Sequence, residues 1–249
     1  MTNAERERFA RQIIHPGFGE ERQKRLREAT VLLAGIGGLG GAIAYGLAGA
    51  GIGRLVLLHH GGLTQSNLNR QTLMSEKAIG QSRVETAATR LREFSSFVTV
   101  EAHDAHVNEE TLAKLSAGVD IIIDARHNFP ERRALNQASV TNGIPLLYAA
   151  MDGLMGQMAL FAPNGETGCL SCLYPDDPQD WDPFGFAVFG AVAHSVGAMA
   201  AMEAIKYITG YENAGGKLVT MDFANNSTRS FKLRRVPDCK VCGGAAKYR

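Results

Sequence analysis

The sequence is short of the features that mark a chain as repetitive, disordered or membrane-bound. Its 249 residues hold no serine- and proline-rich run, no block of like charge and no internal repeat. A linker between domains, a charged interaction tail and a solenoid are therefore excluded. Opposite charges almost cancel, 26 Lys and Arg against 25 Asp and Glu for a net +1, so neither a nucleic-acid nor a membrane partner is expected. The opening MTNAERERFARQ is polar and lacks the apolar centre of a signal peptide, which makes a cytoplasmic location the expectation. One stretch, Phe184 to Ile208, approaches membrane length. Its glycines, alanines and internal His194 favour a buried helix on a sheet or at a subunit contact.

What remains is ordinary for a globular chain: 45% hydrophobic and 20% charged residues. That length can bury a sizeable core as a single α/β domain over 1–249. ATVLLAGIGGLGGAIAYGLAGAGI reads as a buried strand from Thr30 to Ala34, a glycine turn from Gly35 to Gly41 and an apolar helix to about Ala50. GRLVLLHH, FVTVEAHD and GVDIIIDARHN read as further strands, the last ending near Asp124. Between them SRVETAATRLREF has helical spacing, with Val84, Ala87, Ala88 and Leu91 on one face. ERRALNQASVTNG predicts a helix closed by Gly143, followed by strands in IPLLYAAMDG and GQMALFAP. Continuous apolar strands alternating with helices predict a doubly wound, mostly parallel Rossmann-like sheet, with the C-terminal strand region clipped on by the second cysteine pair.

Gly35, Gly37 and Gly40 satisfy G-x-G-x-x-G, with Gly38 inside the motif, between a strand and a helix. Such a turn lets the backbone approach a phosphate, and the helix N-terminus offers free N–H donors. The pattern alone does not separate NAD, FAD, S-adenosylmethionine and ATP, and close packing without a ligand would also use it. The acid that usually holds the ribose about 20 residues on is missing, because His59, His60, Gly61 and Gly62 stand at the end of the second strand. The four cysteines form two C-x-x-C pairs, Cys169/Cys172 and Cys239/Cys242. Two such turns complete a tetrahedral all-sulfur shell suited to structural zinc, closed to catalysis. Disulfides or a redox dithiol are the competing reading, disfavoured in a reducing compartment.

Together the motifs resemble the MoeB/ThiF/HesA family, the bacterial relatives of ubiquitin-activating enzymes. RFARQI, GIGGLGG, SNLNRQ, GQSRVE, the paired C-x-x-C and MEAIKYITG occur in the family's order over nearly the whole chain. The resemblance implies ATP binding and adenylation of a carboxylate, usually the C-terminus of a small ubiquitin-like carrier protein, with magnesium assisting. It implies that Arg70 contacts phosphate, with Asn67 and Gln71 ordering the pocket. It also implies a homodimer in which Arg11 reaches the partner's site. Plainer roles are a surface ion pair for Arg70, a helix cap for Asn67 and a solvated face for Arg11.

Several positions depart from that pattern. The family's D-x-D-x-V before SNLNRQ is His59 to Leu63 here, and the lysine of G-x-x-K is Arg83. D-x-T-D-N, which carries the acid associated with magnesium and adenylation, reads DARHN: Asp124 and Asn128 stay, and His127 replaces the acid beside Arg126. No cysteine lies between Cys172 and Cys239 to form a thioester or persulfide, and the terminal CGGAAKYR does not end in Gly-Gly, so the chain does not look like its own carrier. A pocket stripped of carboxylates is expected to hold magnesium poorly and an anion well. Three readings follow. The first is an adenylating enzyme acting on a carrier-protein tail, a peptide or a small carboxylate, with Arg11, Arg70 and Arg83 on the phosphates. The second is a nucleotide- or partner-binding scaffold. The third is different chemistry on the same fold through His59 and His127 as acid, base or metal ligands.

Overall fold

The computed structural model describes residues 1–162, 167–177, 182 and 185–243. Helices α1 (Asn3–Ile13) and α2 (Gly19–Glu28) lead into β1 (Thr30–Ala34), α3 (Gly38–Ala50), β2 (Arg54–Leu58), α4 (Arg83–Phe94) and β3 (Thr99–His103). Then follow α5 (Glu109–Leu115), β4 (Ile121–Asp124), α6 (Phe129–Asn142), β5 (Leu146–Asp152) and β6 (Met155–Phe161). The chain closes with α7 (Leu170–Leu173), α8 (Gly190–Thr209), β7 (Lys217–Asp222) and β8 (Ser227–Lys232). The eight strands lie in the order β3-β2-β1-β4-β5-β6-β7-β8. β3 through β5 are parallel, and each pairing from β5 outward is antiparallel.

Strands β1 and β4 are apolar throughout because both faces are covered. Val31, Leu33, Ile121 and Ile123 pack with Ile43 and Leu47 of α3, Val84 of α4 and Val196 of α8. Leu32, Ala34 and Ile122 pack on the other side with Leu112 of α5 and Leu135 of α6. The face predicted for α4 is the buried one: Val84, Ala87, Ala88 and Leu91 are all inaccessible. α6 ends at Gly143, whose φ of +66° makes the left-handed stop.

The long apolar stretch forms α8, from Gly190 to Thr209; Phe184 lies outside the described residues. Among the described residues no helix is long and apolar enough to cross a membrane. Small residues let α8 lie close on α3, since a Cβ on Gly197 would sit 2.7 Å from both Ala42 and the Leu39 carbonyl. The glycine turn is shorter than predicted, because α3 is already helical at Gly38. Side-chain-free residues let that first turn form against its neighbours, and Gly41 N–H already bonds Gly37 O at 2.8 Å. β7 and β8 have no clear sequence signature: β8 is an edge strand with five of its six residues exposed, so no apolar alternation marks it. The C-terminal segment beyond Gly243 lies outside the described residues.

The chain runs from β1 outward to β2 and β3, then returns to place β4 on the other side of β1. The connections after β1 and β4 therefore leave the sheet in opposite directions and open a crevice between them.

Candidate functional site

A cleft of about 910 Å³ fills this crevice. Its floor is the glycine loop. Gly35 has φ +101°, and a Cβ there would lie 2.4 Å from the Ala125 carbonyl after β4. A Cβ on Gly40 would come within 1.9 Å of Gly35 O. Gly35 and Gly40 thus serve close packing, while Gly37 and Gly38 line the cleft at the start of α3. The free N–H groups and positive end of that helix suit an anion.

One wall is the SNLNRQ turn. Thr64 N–H donates to Asn67 Oδ1 at 3.0 Å, and the Asn67 carbonyl accepts from Arg70 N–H at 3.1 Å and Gln71 N–H at 3.0 Å. Thr64 caps the short 3-10 helix, Asn67 supplies the return bond of its capping box, and the Asn67 carbonyl shapes the turn that presents Arg70. Arg70 donates from Nη1 to Ser66 O at 3.0 Å and to Asn69 Oδ1 at 2.7 Å. Gln71 is buried beside Gly37, and its Oε1 has no partner among the described residues. From α8, His194 Nε2 lies 2.8 Å from the Arg70 carbonyl, so that nitrogen carries the proton and donates.

Arg83, the first residue of α4, folds back under the end of β2. Its Nε donates to Gly61 O and its Nη2 to His60 O, both at 3.2 Å. Gly61, at φ +111°, makes the room, because a Cβ there would meet Arg83 Nη2 at 2.9 Å. Among the described residues no carboxylate forms an ion pair with Arg70 or Arg83. Burial first, then the charges of Arg126 and Arg70, lowers the Arg83 pKa, with the Asp104 carboxylate opposing.

The departures meet at one point. Arg126 Nη1 is 2.6 Å from His59 Nδ1, and its Nε and Nη2 grip Glu131 Oε2 at 2.7 and 2.6 Å. The Ile36 N–H also points at His59 Nδ1, at 3.4 Å. Two donors converge on that nitrogen, so it holds a lone pair and the proton sits on Nε2. Burial, then the charge of Arg126, drives the His59 pKa down to about 2. A ring held as a neutral acceptor to Arg126 does not serve as an acid or base near neutral pH. His127 lines the cleft half-buried, held below the usual histidine range by burial and then by Arg126. Asn128 caps α6, accepting from Glu131 N–H at 2.9 Å, and does not line the cleft. Asp124 is fully buried and accepts from Arg126 N–H at 2.9 Å; burial raises its pKa, with Arg132 4.0 Å away opposing. Arg11 is exposed on the last turn of α1 and outside the cleft of its own chain.

Glu131, His194 and Arg132 belong to this neighbourhood and were missed in the sequence. Asn128 followed three residues later by Glu131 is a capping signature that was available for the first. His194 carries no such signal, because its partner is a backbone carbonyl 124 residues away.

The cysteines form a second, closed site. All four are free thiols, and their sulfurs lie within 4.8 Å of one another. Cys169 and Cys239 are 3.8 Å apart and Cys172 and Cys242 3.4 Å, against about 3.8 Å for a tetrahedron with 2.3 Å zinc–sulfur bonds. The donor set fits zinc. Asn136 of α6 supports it, donating to Cys169 Sγ at 3.6 Å and accepting from Leu170 N–H at 2.9 Å. Bound there, zinc would clip residues 239–242 to α7 and α6. Among the described residues no other trio of His, Cys, Asp or Glu ligand atoms converges.

Known proteins match this arrangement over its full length. HesA of Leptolyngbya boryana is 42% identical over 250 residues, covering 100% of this chain and 90% of that protein. The molybdopterin-synthase adenylyltransferase of Salmonella typhimurium is 35% identical and the ThiS adenylyltransferase of Escherichia coli 34%, each covering 98% of both chains. Among solved structures, E. coli MccB with ATP superposes with a TM-score of 0.84 at 27% identity, covering 95% of this chain and 73% of that one. The ThiF family model matches residues 9–241. That match takes in the glycine loop, every cleft residue named above and the paired cysteines up to Val241, and this chain belongs to the ThiF family.

Proposed function

We propose that the chain adenylates a carboxylate with ATP: a carboxylate oxygen bonds to the α-phosphorus, pyrophosphate leaves, and the acyl-adenylate is open to a nucleophile. The observation that carries this reading is that the N-terminus of α3, Arg70 and Arg83 line one cleft, with no ion-paired carboxylate among the described residues to cancel the two arginines. Charge develops on the phosphate as the bond forms, and donors already in place stabilise it without reorganising. Relatives named as adenylyltransferases for molybdopterin synthase and for the sulfur carrier protein ThiS, and the structure of MccB with MccA-N7isoASN, support a carrier-protein tail or another polypeptide as substrate. Phe189, Met199 and Met202 are exposed at and along α8. They support a homodimer, with Arg11 serving the partner's cleft.

ATP–pyrophosphate exchange in the presence of candidate carrier tails and peptides tests the reading. Label appearing in ATP supports it. ATP binding without exchange for any carboxylate would favour a scaffold, the reading that gains from Glu131 being spent on Arg126 and Asn128 rather than on a ligand.

A further inference from the structure

We infer that this cleft takes its nucleotide without a divalent cation, arginine alone carrying the polyphosphate charge. The inference rests on the adenylating reading above and deepens it. Magnesium takes oxygen ligands, and a protein holds it with one or two carboxylates beside the substrate's phosphates. The chemistry of the donors here does not fit that ion. His127 stands where the resemblance places the acid, and imidazole suits softer metals.

The nearby carboxylates are sealed or committed. Asp124 has no exposed surface, one oxygen on the Arg126 amide and the other toward Arg132. Glu131 holds Arg126 by two nitrogens and also accepts from Asn128. Asp104 is bonded to His60 at 3.0 Å and faces the Gly61 amide at 3.4 Å. The carboxylates that do line the cleft, Asp152 and Asp182, are exposed and come from the end of β5 and the segment before α8. β5 is two strands removed from β1 and its glycine loop.

In the place of a metal site stands a fixed guanidinium that Glu131 already pairs, so the uncancelled charge in the cleft is that of Arg70 and Arg83. Arg126 is 7% exposed and lines the cleft, locked between Glu131 and His59. Of the five N–H donors of a guanidinium, the bonds to Glu131 and His59 use three, and among the described residues two are left for a ligand oxygen. The neutral His59 is part of this device: it accepts from Arg126 and brings no negative charge to the cleft. With Arg70 and Arg83 lining the same cleft, a dication would add like charge at close range in a region of low dielectric.

Calorimetric titration of zinc-loaded, full-length protein with ATP tests this, once in buffer freed of divalent ions by a chelating resin and once with excess magnesium chloride. The expected affinities agree within ~threefold. A larger gain with magnesium overturns the inference and leaves the adenylating reading standing; no binding in either buffer removes both. The double variant Arg126→Ser, His127→Asp restores a carboxylate and removes the fixed cation. It is expected to bind ATP at least ~tenfold more tightly with magnesium than without, and a variant that stays indifferent to magnesium, while its thermal unfolding remains cooperative, overturns the assignment to Arg126. Exchange activity that survives the resin treatment is a second supporting result, and exchange that appears only on adding magnesium contradicts it.

Discussion

The four-cysteine cluster, a knuckle made of two C-x-x-C turns, and the cleft are built on opposite principles. The knuckle draws on two short runs, each of which already carries its ligands at the spacing of the finished site. The sulfurs are chemically identical, three of the four cysteines are buried and Cys172 is partly so, and they ask only that the two runs meet. The cleft draws side chains from the ends of β2 and β4, the SNLNRQ turn, α4, α6 and α8, and most of them act through a partner. Arg70 depends on Asn67 and His194, His59 on Arg126, and Arg126 on Glu131. A site of the first kind tolerates change around it and fails when a ligand is lost. A site of the second kind can change its chemistry by exchanging partners while the backbone keeps its path.

Four experiments sharpen that contrast. If the four cysteines hold zinc, Cys169→Ser should abolish its binding and lower Tm by roughly 10 °C, a loss of about 4 kcal/mol in a domain of this size; metal analysis and calorimetry read it. Retained zinc and an unchanged Tm would break the distinction between the two sites. Arg70→Ala should do the reverse, cutting ATP–pyrophosphate exchange by ~10²–10³ while unfolding stays where it was. An equal fall in stability would make Arg70 part of the frame rather than of the chemistry.

His59 links the cleft to stability. The fold holds the ring neutral, with a pKa near 2, whereas in the unfolded chain it titrates near 6.5. Below that value the unfolded state takes up the proton first. Stability therefore falls as the pH drops through 6.5, by up to ~1.4 kcal/mol per pH unit from this group, and is unaffected by it at higher pH. Denaturant unfolding of the wild type and His59→Asn between pH 5 and 8 should show the slope flattening in the variant. Parallel curves would mean that another group carries the acid sensitivity. The smallest effect belongs to His194→Ala, which removes one hydrogen bond to the Arg70 carbonyl. A loss of about 1 kcal/mol, near fivefold in exchange rate, is expected. The KM for ATP should rise while the Arg70→Ala background shows no further change. A fall that adds in full to that of Arg70→Ala would detach His194 from the arginine it is taken to hold.

Legibility in the sequence followed the range of each interaction. The buried face of α4, the stop at Gly143 and the paired cysteines were open to reading because each is a local pattern of a few residues. The early start of α3 was misjudged because glycine signals a turn by its own preference, whereas tight packing against Arg70 and Gly35 O admits helix there. Edge strand β8, with its exposed residues, offered no period to detect. The histidines were open to three readings because a ring's chemistry lies in what faces its nitrogens.

Residue type and spacing were enough to set the Rossmann-like layout, the glycine loop at its first turn, a four-cysteine cluster fit for a metal and histidines rather than acids at 59 and 127. Only the tertiary structure decided that Glu131 returns a carboxylate to Arg126, that His59 is a neutral acceptor, that Arg83 folds back under Gly61 and that α8 steadies Arg70 through His194. Those outcomes depend on burial and on partners brought together from separate elements, and the free energy of a buried polar group is fixed by the groups around it rather than by its own identity.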